Sequence, residues 1–316
     1  MKNFIVPFFI PFEGCPYKCI YCDQNAVTNE TGFSIDERLS DFFHRKRAVK
    51  KNVEVAFFGG TFTQMPQKKQ EELLKKIQKY IKSGKVNSIR ISTRPDKLSG
   101  DQIKLLKKYS VKSIELGVQS FNTKYLKFLR RGYLKSEAVE NIKRLKKAGF
   151  KVGIQIMMGF PGQSYEEFMN DVYALINLNP FDCRIYPLAV IEKTELDRLH
   201  RKNNYEFMDL KTAIGWLSAA AEEIEKRNIE IRRMGLPHSV ELENKITGGI
   251  YHPSLADRVR FNMLKNNLEN ISEKAEEVKI NPKDLEYAEK IISDKNISIK
   301  IKENKEINRG GAKYIS

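Results

Sequence analysis

The sequence predicts an α/β fold: a partial (βα)6 TIM-like barrel of parallel strands with a small C-terminal α+β extension. Short aliphatic runs alternate with longer helix-like segments over most of the chain, which is the pattern of successive βα units. Glycine-rich or polar motifs follow several of these runs, and barrels of this kind carry their sites at the C-terminal ends of the strands. A length of 316 residues accommodates one such barrel and an appendage.

Composition favours a cytoplasmic protein that makes no contact with a membrane. The chain is 41% hydrophobic and 30% charged, and no apolar run approaches the roughly 18 residues of a transmembrane helix. The apolar start, Met1–Pro11, is interrupted by Pro7 and has no small-residue cleavage site, so it predicts a strand and not a signal peptide. Four cysteines, three of them clustered, fit a reducing compartment.

Three cysteines share one short loop, at Cys15, Cys19 and Cys22, in a C-x3-C-x2-C spacing. Thiolates are soft ligands, and three on one loop suit a metal or an iron–sulfur cluster. An odd count in so short a window argues against a disulfide framework, and structural zinc needs a fourth ligand. Both alternatives stay open here. Cys183 is distant in sequence and is interpreted as a buried small residue.

Six strands and the helices that follow them are predicted from these runs. The predicted strands are Asn3–Phe12, Asn52–Phe58, Ser88–Arg94, Lys112–Ser120, Lys151–Met158 and Phe181–Val190. The predicted helices are Ser34–Val49, Gln67–Lys82, Ser99–Tyr109, Ser136–Ala148, Ser164–Asn177 and Asp209–Arg227. The first of these helices begins with Ser34 and Glu37 at the spacing of a capping box.

Alternation along the third and fourth strands predicts a polar lumen. Ile114, Leu116 and Val118 share one face of the fourth strand, and Glu115 and Gln119 share the other. The aliphatic face meets the helices, so Glu115 and Gln119 point inward. An ordinary (βα) barrel fills its lumen with Val, Ile and Leu, so a polar lumen indicates a cavity for a polar ligand. The alternative is a half-exposed edge strand whose polar face meets water.

Three further motifs stand at the C-terminal ends of strands. Gly59-Gly60-Thr61 ends the second strand, Gly159-Phe160-Pro161-Gly162 ends the fifth, and Tyr186-Pro187-Leu188 lies in the sixth. Paired glycines let the backbone approach a ligand closely. A lone Gly-Gly is usually only a turn. Gly59-Gly60 follows the cysteine loop by one βα unit, and this position favours a ligand-binding site over a simple turn.

Over roughly residues 1–235 the chain resembles the radical S-adenosylmethionine (radical SAM) superfamily. The resemblance rests on the order of its motifs: the cysteine loop, Gly-Gly-Thr, Ser-Thr-Arg-Pro-Asp, Glu-Leu-Gly-Val-Gln-Ser and Met-Met-Gly-Phe-Pro-Gly. The branch is similar to the radical SAM domain of the Elongator catalytic subunit and to the oxygen-independent coproporphyrinogen oxidases. The resemblance implies that Cys15, Cys19 and Cys22 hold a [4Fe-4S] cluster. Its open iron then binds S-adenosylmethionine and cleaves it to a 5′-deoxyadenosyl radical.

The same resemblance implies further contacts to S-adenosylmethionine. The backbone of Gly59 and Gly60 contacts its amino group, and Thr61 stands where the family often has Glu. Contacts from the third and fourth strands and adenine contacts from the fifth and sixth strands transfer to Arg94, Gln119, Ser120, Gly159 and Tyr186. No residue is assigned as catalytic, because the cofactor does the difficult chemistry.

The sequence departs from the Elongator enzyme in two ways. No room remains after the barrel for an acetyltransferase domain, and no cysteine follows Cys183. The resemblance therefore implies a standalone radical SAM protein and gives no ground for expecting acetyl transfer.

Three segments are predicted: a barrel over 1–235, a barrel-closing segment over 236–261 and a small accessory subdomain over 262–316. The net charge is +16, and the last segment holds 11 basic and 10 acidic residues, which leaves 45 minus 30, or +15, on residues 1–261. Such an excess favours an anionic partner such as RNA, although a lysine-rich composition explains it equally well. For Arg232 and Arg233, which follow the predicted barrel strands, two interpretations stay open: contact with substrate or RNA phosphate, or closure of the open side of the barrel.

Three functions remain open. The first is radical modification of a tRNA or other RNA, and the second is radical chemistry on a small molecule or tetrapyrrole. The third is a non-catalytic, structural metal-binding protein. Either enzyme needs an electron donor, such as a ferredoxin or flavodoxin.

Overall fold

The computed structural model describes residues 3–16, 18–28, 32–45, 52–269, 277–294 and 299–315. Its main sheet has seven parallel strands, in the spatial order β1 (Asn3–Phe9), β2 (Asn52–Phe58), β3 (Ser88–Thr93), β4 (Val111–Gln119), β5 (Lys151–Met158), β6 (Asp182–Pro187) and β8 (Glu230–Met234). The sheet is curled and open, because β1 and β8 are its two edges. The predicted α/β partial barrel is confirmed.

The other elements surround this sheet or follow it. The remaining strands are β7 (Ala189–Ile191), β9 (Ile246–Gly249), β10 (Glu277–Ile280), β11 (Lys300–Glu303) and β12 (Ala312–Ile315). The helices are α1 (Gln24–Thr28), α2 (Ile35–Arg45), α3 (Gln67–Lys82), α4 (Gly100–Lys108), α5 (Thr123–Phe128), α6 (Lys135–Lys147), α7 (Tyr165–Leu178), α8 (Glu195–Asn203), α9 (Leu210–Glu225), α10 (Val240–Glu243), α11 (Leu255–Glu269) and α12 (Leu285–Asp294).

The core lies between the outer face of the sheet and the helices. Ile89, Ile91, Ile114 and Leu116 are fully buried in it, as the alternation of β3 and β4 predicts. Each such side chain contributes roughly 1.5–3 kcal/mol by burial. The opposite face of the same strands is polar and lines the lumen, so the edge-strand alternative is wrong.

Several element boundaries differ from those that the sequence predicts. The first strand ends at Phe9 and not at Phe12, because Phe12 has a positive φ of 59° in the turn that follows. The predicted end of the first helix, Val49, lies outside the described residues. The predicted sixth strand is divided at Leu188 into β6 and β7, and β7 pairs with β9 in a separate antiparallel ribbon.

Strand β8 and helices α5 and α8 are among the elements that the sequence pattern does not predict. Strand β8 has three charged residues in five, so it does not show the pattern of a buried strand, although it pairs with β6 along the main sheet. Helices α5 and α8 are six and nine residues long, and each lies between two predicted elements, where the sequence predicts neither a helix nor a strand.

A buried cluster of charges crosslinks the strands at the N-terminal side of the lumen. Arg90 on β3 is 1% exposed and donates to Asp182 Oδ2 on β6 at 2.7 Å and to Glu54 Oε2 on β2 at 3.0 Å. Arg232 on β8 also pairs with Asp182. Burial alone raises the pKa of Asp182, but the guanidiniums of Arg90 and Arg232 outweigh it and hold that pKa below its usual value.

The C-terminal extension is a mixed three-stranded sheet in the order β11-β10-β12, with α12 packed on it. Helix α11 joins the two cores: Leu255, Val259 and Met263 pack in the main core, and Leu264 and Leu268 pack in the small one. The predicted boundary at 261/262 thus falls within a helix, and the domain limits stay predictions. No helix in the described ranges is long and apolar enough to cross a membrane.

We expect Asp182→Asn to lower the free energy of unfolding by about 1.5–3 kcal/mol, because it removes the carboxylate that Arg90 and Arg232 share and leaves Arg90 with Glu54 and Arg232 with Glu230. The folded-state pKa of Asp182 is lowered, so its contribution is complete above the unfolded pKa and is lost as the pH falls. The variant should therefore lose stability less steeply than the parent on acidification. Urea unfolding measures both effects.

Asp257→Asn is the matched control, since Asp257 is half exposed and pairs with Arg309 at the surface. It should change stability by less than about 1 kcal/mol. Equal losses in both variants would contradict the role assigned to the buried cluster.

Candidate active site

A cavity of about 640 Å³ lies inside the curled sheet. This volume is within the range of small-molecule sites. Nine of the eleven residues that the sequence assigns to the site line it: Cys15, Cys19, Cys22, Gly59, Gly60, Thr61, Arg94, Gln119 and Tyr186. The cavity also runs between the two sheet edges, where Ile5 and Pro7 of β1 and Ile231 and Arg233 of β8 line it.

Ser120 and Gly159 do not line this cavity. The Ser120 hydroxyl donates to Asp171 Oδ2 at 2.5 Å and accepts from the Asn122 N–H. The Gly159 N–H donates to Gln163 Oε1 at 2.7 Å. Both residues make structural contacts here, and their cofactor contacts stay predictions.

Gln24 ties the cysteine loop to the glycine motif. Its Oε1 accepts from the Phe12 N–H at 2.6 Å and from the Gly60 N–H at 2.8 Å. The Thr61 N–H also donates to the Glu13 carbonyl at 2.6 Å. The two loops, distant in sequence, therefore form one unit beside the three thiols.

Thr61 approaches the cluster ligands directly. Its hydroxyl oxygen lies 3.4 Å from Cys15 Sγ. A short hydroxyl fits here, where the family often has a carboxylate. The backbone role predicted for Gly59 and Gly60 agrees with their positive φ angles of 76° and 54°, which glycine adopts without strain.

The donor set fits an iron–sulfur cluster. Cys19 is buried, and Cys15 and Cys22 are half buried. All three line the same cavity, and burial, with the charges of Cys19 and Cys15, raises the pKa of Cys22 to about 12. Among the described residues, no three His, Cys, Asp or Glu side chains are grouped tightly enough for a single metal ion.

Sequence reasoning missed Arg131. Its guanidinium is 4% exposed, donates to Cys19 Sγ at 3.1 Å and to the Gly117 carbonyl at 2.6 Å, and stacks on Tyr133. It places a positive charge beside the thiols. The one sequence feature that could have indicated Arg131 is the Arg130-Arg131-Gly132 segment just after α5. No element was predicted there.

Arg94 forms an ion pair with Asp96. Its guanidinium donates to both carboxylate oxygens of Asp96, at 2.8 and 3.2 Å, and it also contacts the Arg131 carbonyl. The side chain lines the cavity with its charge matched by that carboxylate. Its location agrees with the predicted site, and its contact with S-adenosylmethionine stays a prediction.

Gln119 sits at a β-bulge where the register between β4 and β5 shifts. Its φ of 71° is in the left-handed region, which costs a non-glycine residue roughly 1–2 kcal/mol. The bulge turns its side chain into the cavity, where Gln155 Nε2 donates to Gln119 Oε1 at 2.8 Å. Bulges that redirect a side chain are frequent next to active sites.

Glu115 and Arg184 form a charged wall of the cavity. Arg184 Nε lies 2.9 Å from Glu115 Oε2, and Arg184 Nη1 donates to the Tyr186 hydroxyl at 3.2 Å. Burial raises the pKa of Glu115, although Arg184 and Arg90 oppose it. Glu115 and Gln119 thus face inward, as their alternation predicts.

We expect Cys19→Ala to lose most of its bound iron and sulfide after anaerobic reconstitution, because two thiolates hold a cubane poorly. Cys183→Ala is the matched control. Cys183 is 1% exposed in the core, and burial raises its pKa, so its loss should leave the iron content unchanged. An equal iron content in the two variants would show that the loop does not hold the cluster.

We expect Gly60→Ala to weaken S-adenosylmethionine binding at least about tenfold and to lower stability. A Cβ at Gly60 would meet the Glu13 carbonyl and stand 2.6 Å from the Ile10 carbonyl. Gly84→Ala is the control, since Gly84 also has a positive φ but open space around it; it should cost only the roughly 1–2 kcal/mol of a left-handed residue. Calorimetry on both variants checks this.

Comparison with known proteins agrees with this geometry. The radical SAM superfamily matches residues 9–172, and a radical SAM C-terminal domain matches residues 181–265. An uncharacterized Methanocaldococcus jannaschii protein, MJ0486, is 33% identical over 66% of this chain and 68% of its own length. The heme chaperone HemW of Lactococcus lactis is 30% identical over 59% of this chain and 49% of its own.

Two further similarities concern the Elongator branch. The tRNA uridine(34) acetyltransferase of M. jannaschii is 25% identical over 81% of this chain and 54% of its own. The structure of Methanocaldococcus infernus Elp3 superposes with a TM-score of 0.67 at 22% identity, covering 84% of this chain and 64% of that one. The chain thus spans about half the length of the HemW and acetyltransferase relatives.

The predicted family, enzyme class and cofactors are confirmed by these matches. Radical SAM enzymes use a [4Fe-4S] cluster and S-adenosylmethionine, and the assignment of Cys15, Cys19 and Cys22 as the cluster ligands stays a prediction. The chain belongs to the radical SAM superfamily and is a radical SAM enzyme.

Proposed function

We propose that this enzyme cleaves S-adenosylmethionine reductively and uses the resulting radical to modify an RNA, with tRNA as the substrate class. The proposal rests chiefly on the charge at the open side of the cavity. Relatives named for tRNA chemistry support it, although acetyl transfer is not part of it.

The residues around the thiols have separate tasks in this reaction. When bound, the reduced cluster supplies the electron that cleaves S-adenosylmethionine and releases the 5′-deoxyadenosyl radical. Gly59 and Gly60 present backbone to the amino group, and Arg131 supplies positive charge beside Cys19. The buried walls exclude water and so protect a radical from side reactions.

Arg233 carries the argument for an anionic substrate. It lies on the edge strand β8, lines the cavity and is exposed. Within the part of the chain that the structure describes, no carboxylate forms an ion pair with it, whereas its neighbour Arg232 pairs with Asp182 and Glu230. Lys18, in the cysteine loop, also lines the cavity and is exposed. Two exposed cations at the entrance to a reactive cavity suit a phosphate backbone.

A small-molecule substrate, a tetrapyrrole included, is the second candidate. The cavity volume of about 640 Å³ suits such a ligand, and relatives named heme chaperones match this chain. The charge excess of +15 on residues 1–261, obtained as 45 minus 30, favours RNA over this alternative.

The reaction class is tested first. Anaerobically reconstituted protein, treated with dithionite and S-adenosylmethionine, should yield 5′-deoxyadenosine and methionine, and Cys19→Ala should yield neither. A parent protein with a full cluster and no 5′-deoxyadenosine would contradict reductive cleavage, whatever the substrate.

Binding of bulk tRNA is then measured over a series of KCl concentrations. Arg233→Ala should weaken binding and reduce the slope of log K against log salt by about 1. Arg227→Ala is the matched control, since Arg227 is exposed and does not line the cavity. A tRNA affinity that does not change with KCl concentration would contradict the RNA proposal and favour the small-molecule candidate. Equal losses of tRNA affinity in Arg233→Ala and Arg227→Ala would do the same.

A further inference from the structure

Helices α5 and α8 lie behind the cysteine loop, away from the cavity. None of their residues lines the cavity. The Leu196 N–H of α8 donates to the Ile20 carbonyl at 2.8 Å, and Ile20 directly follows Cys19. Ile20 is buried among Leu129, which follows α5, and Leu196. The two helices therefore form the outer cover of the loop that holds the cluster.

The two helices touch each other and form one surface. Arg130, which follows α5, pairs with Glu195 of α8 at 2.6 Å. The rings of Phe128 and Tyr205, at the ends of these elements, are 6.0 Å apart. We call this surface the α5–α8 face and define it as residues 123–130 and 195–203.

The α5–α8 face is basic. It has six Lys and Arg residues and two acids, and each acid is already matched: Glu195 pairs with Arg130 and Asp197 with Arg201. Lys124 pairs with Glu167 of α7. Three exposed cations remain for which the described chain provides no ion pair: Lys127, Arg198 and Lys202.

These three cations lie on the two helices that cover the cysteine loop. Arg198 and Lys202 are four positions apart on α8 and share a face. Lys127 lies in the last turn of α5, and Arg130, just after that helix, is joined to the start of α8 by its ion pair with Glu195. Such a concentration of one sign of charge steers an oppositely charged protein and speeds its association.

We propose that the α5–α8 face is the docking surface for the protein that reduces the cluster, a small acidic iron–sulfur protein of the ferredoxin class. An electron donor does not enter the cavity, which the substrate and S-adenosylmethionine must share. It has to approach the cysteine loop from outside, and here one hydrogen bond separates an exposed helix from the residue beside Cys19. The inference rests on reductive cleavage and not on the RNA substrate.

The redox step balances as a single electron transfer. One electron leaves the reduced ferredoxin, which is oxidised, and is accepted at the cluster that the cysteine loop holds, which is reduced. No covalent bond forms or breaks and no atom is transferred. Cleavage of S-adenosylmethionine then consumes that electron.

The test compares two triple variants of the reconstituted enzyme with equal changes in net charge. The first is Lys127→Glu with Arg198→Glu and Lys202→Glu. The control is Lys107→Glu with Lys143→Glu and Lys147→Glu, at exposed positions on α4 and α6. Binding of a purified acidic ferredoxin to each protein is measured by calorimetry at several salt concentrations, and 5′-deoxyadenosine is measured with either ferredoxin or dithionite as reductant.

We expect the first variant to bind ferredoxin about tenfold or more weakly than the control variant and to lose activity with ferredoxin to the same degree. Its iron content and its activity with dithionite should remain, because the small reductant needs no docking surface and because both report an intact fold. Equal ferredoxin binding by the two variants would overturn the proposal.

A second outcome would also overturn it. If the first variant binds ferredoxin as tightly as the control variant does but no longer binds bulk tRNA, the α5–α8 face is an RNA-binding site. If the parent makes no 5′-deoxyadenosine with dithionite, reductive cleavage fails, and the binding measurement alone still decides whether the α5–α8 face recognises the acidic protein.

Discussion

The open sheet depends on a buried arginine. Arg90 joins Glu54, Asp182 and, more distantly, Glu115, so that one side chain on β3 contacts carboxylates on β2, β4 and β6. Asp182 extends the cluster to Arg232 on the edge strand β8. An apolar lumen would collapse onto itself and fill, as barrel interiors do. Here paired charges occupy one end of the lumen, and the other end stays free to form a cavity.

Hydrogen bonds link the loops that form the cavity. Gln24 links the cysteine loop to the glycine motif, and Thr61 contacts both Glu13 and Cys15. The left-handed residues Phe12, Gly59 and Gly60 concentrate beside the thiols. Strained or glycine-dependent backbone is typical of sites in which a ligand approaches the main chain.

Charge is distributed so that the two sides of the cysteine loop differ. The inner side meets Arg131 and the polar lumen, and its open edge carries Arg233. The outer side is covered by α5 and α8, whose acids are already paired. One small loop thus separates the cavity from a basic outer surface.

The sequence by itself determined the order of the strands, the grouping of Cys15, Cys19 and Cys22 on one loop, and the inward direction of Glu115, because spacing and alternation are local properties of the chain. It did not reveal β8, α5, α8 or Arg131. Strand β8 is too charged and the two helices too short to show a periodic pattern. Arg131 lies 112 positions from Cys19, and Ser120 and Gly159 turn to Asp171 and Gln163 instead of the cavity. Only the tertiary structure decided these points, because they depend on which distant side chains the curled sheet brings into contact.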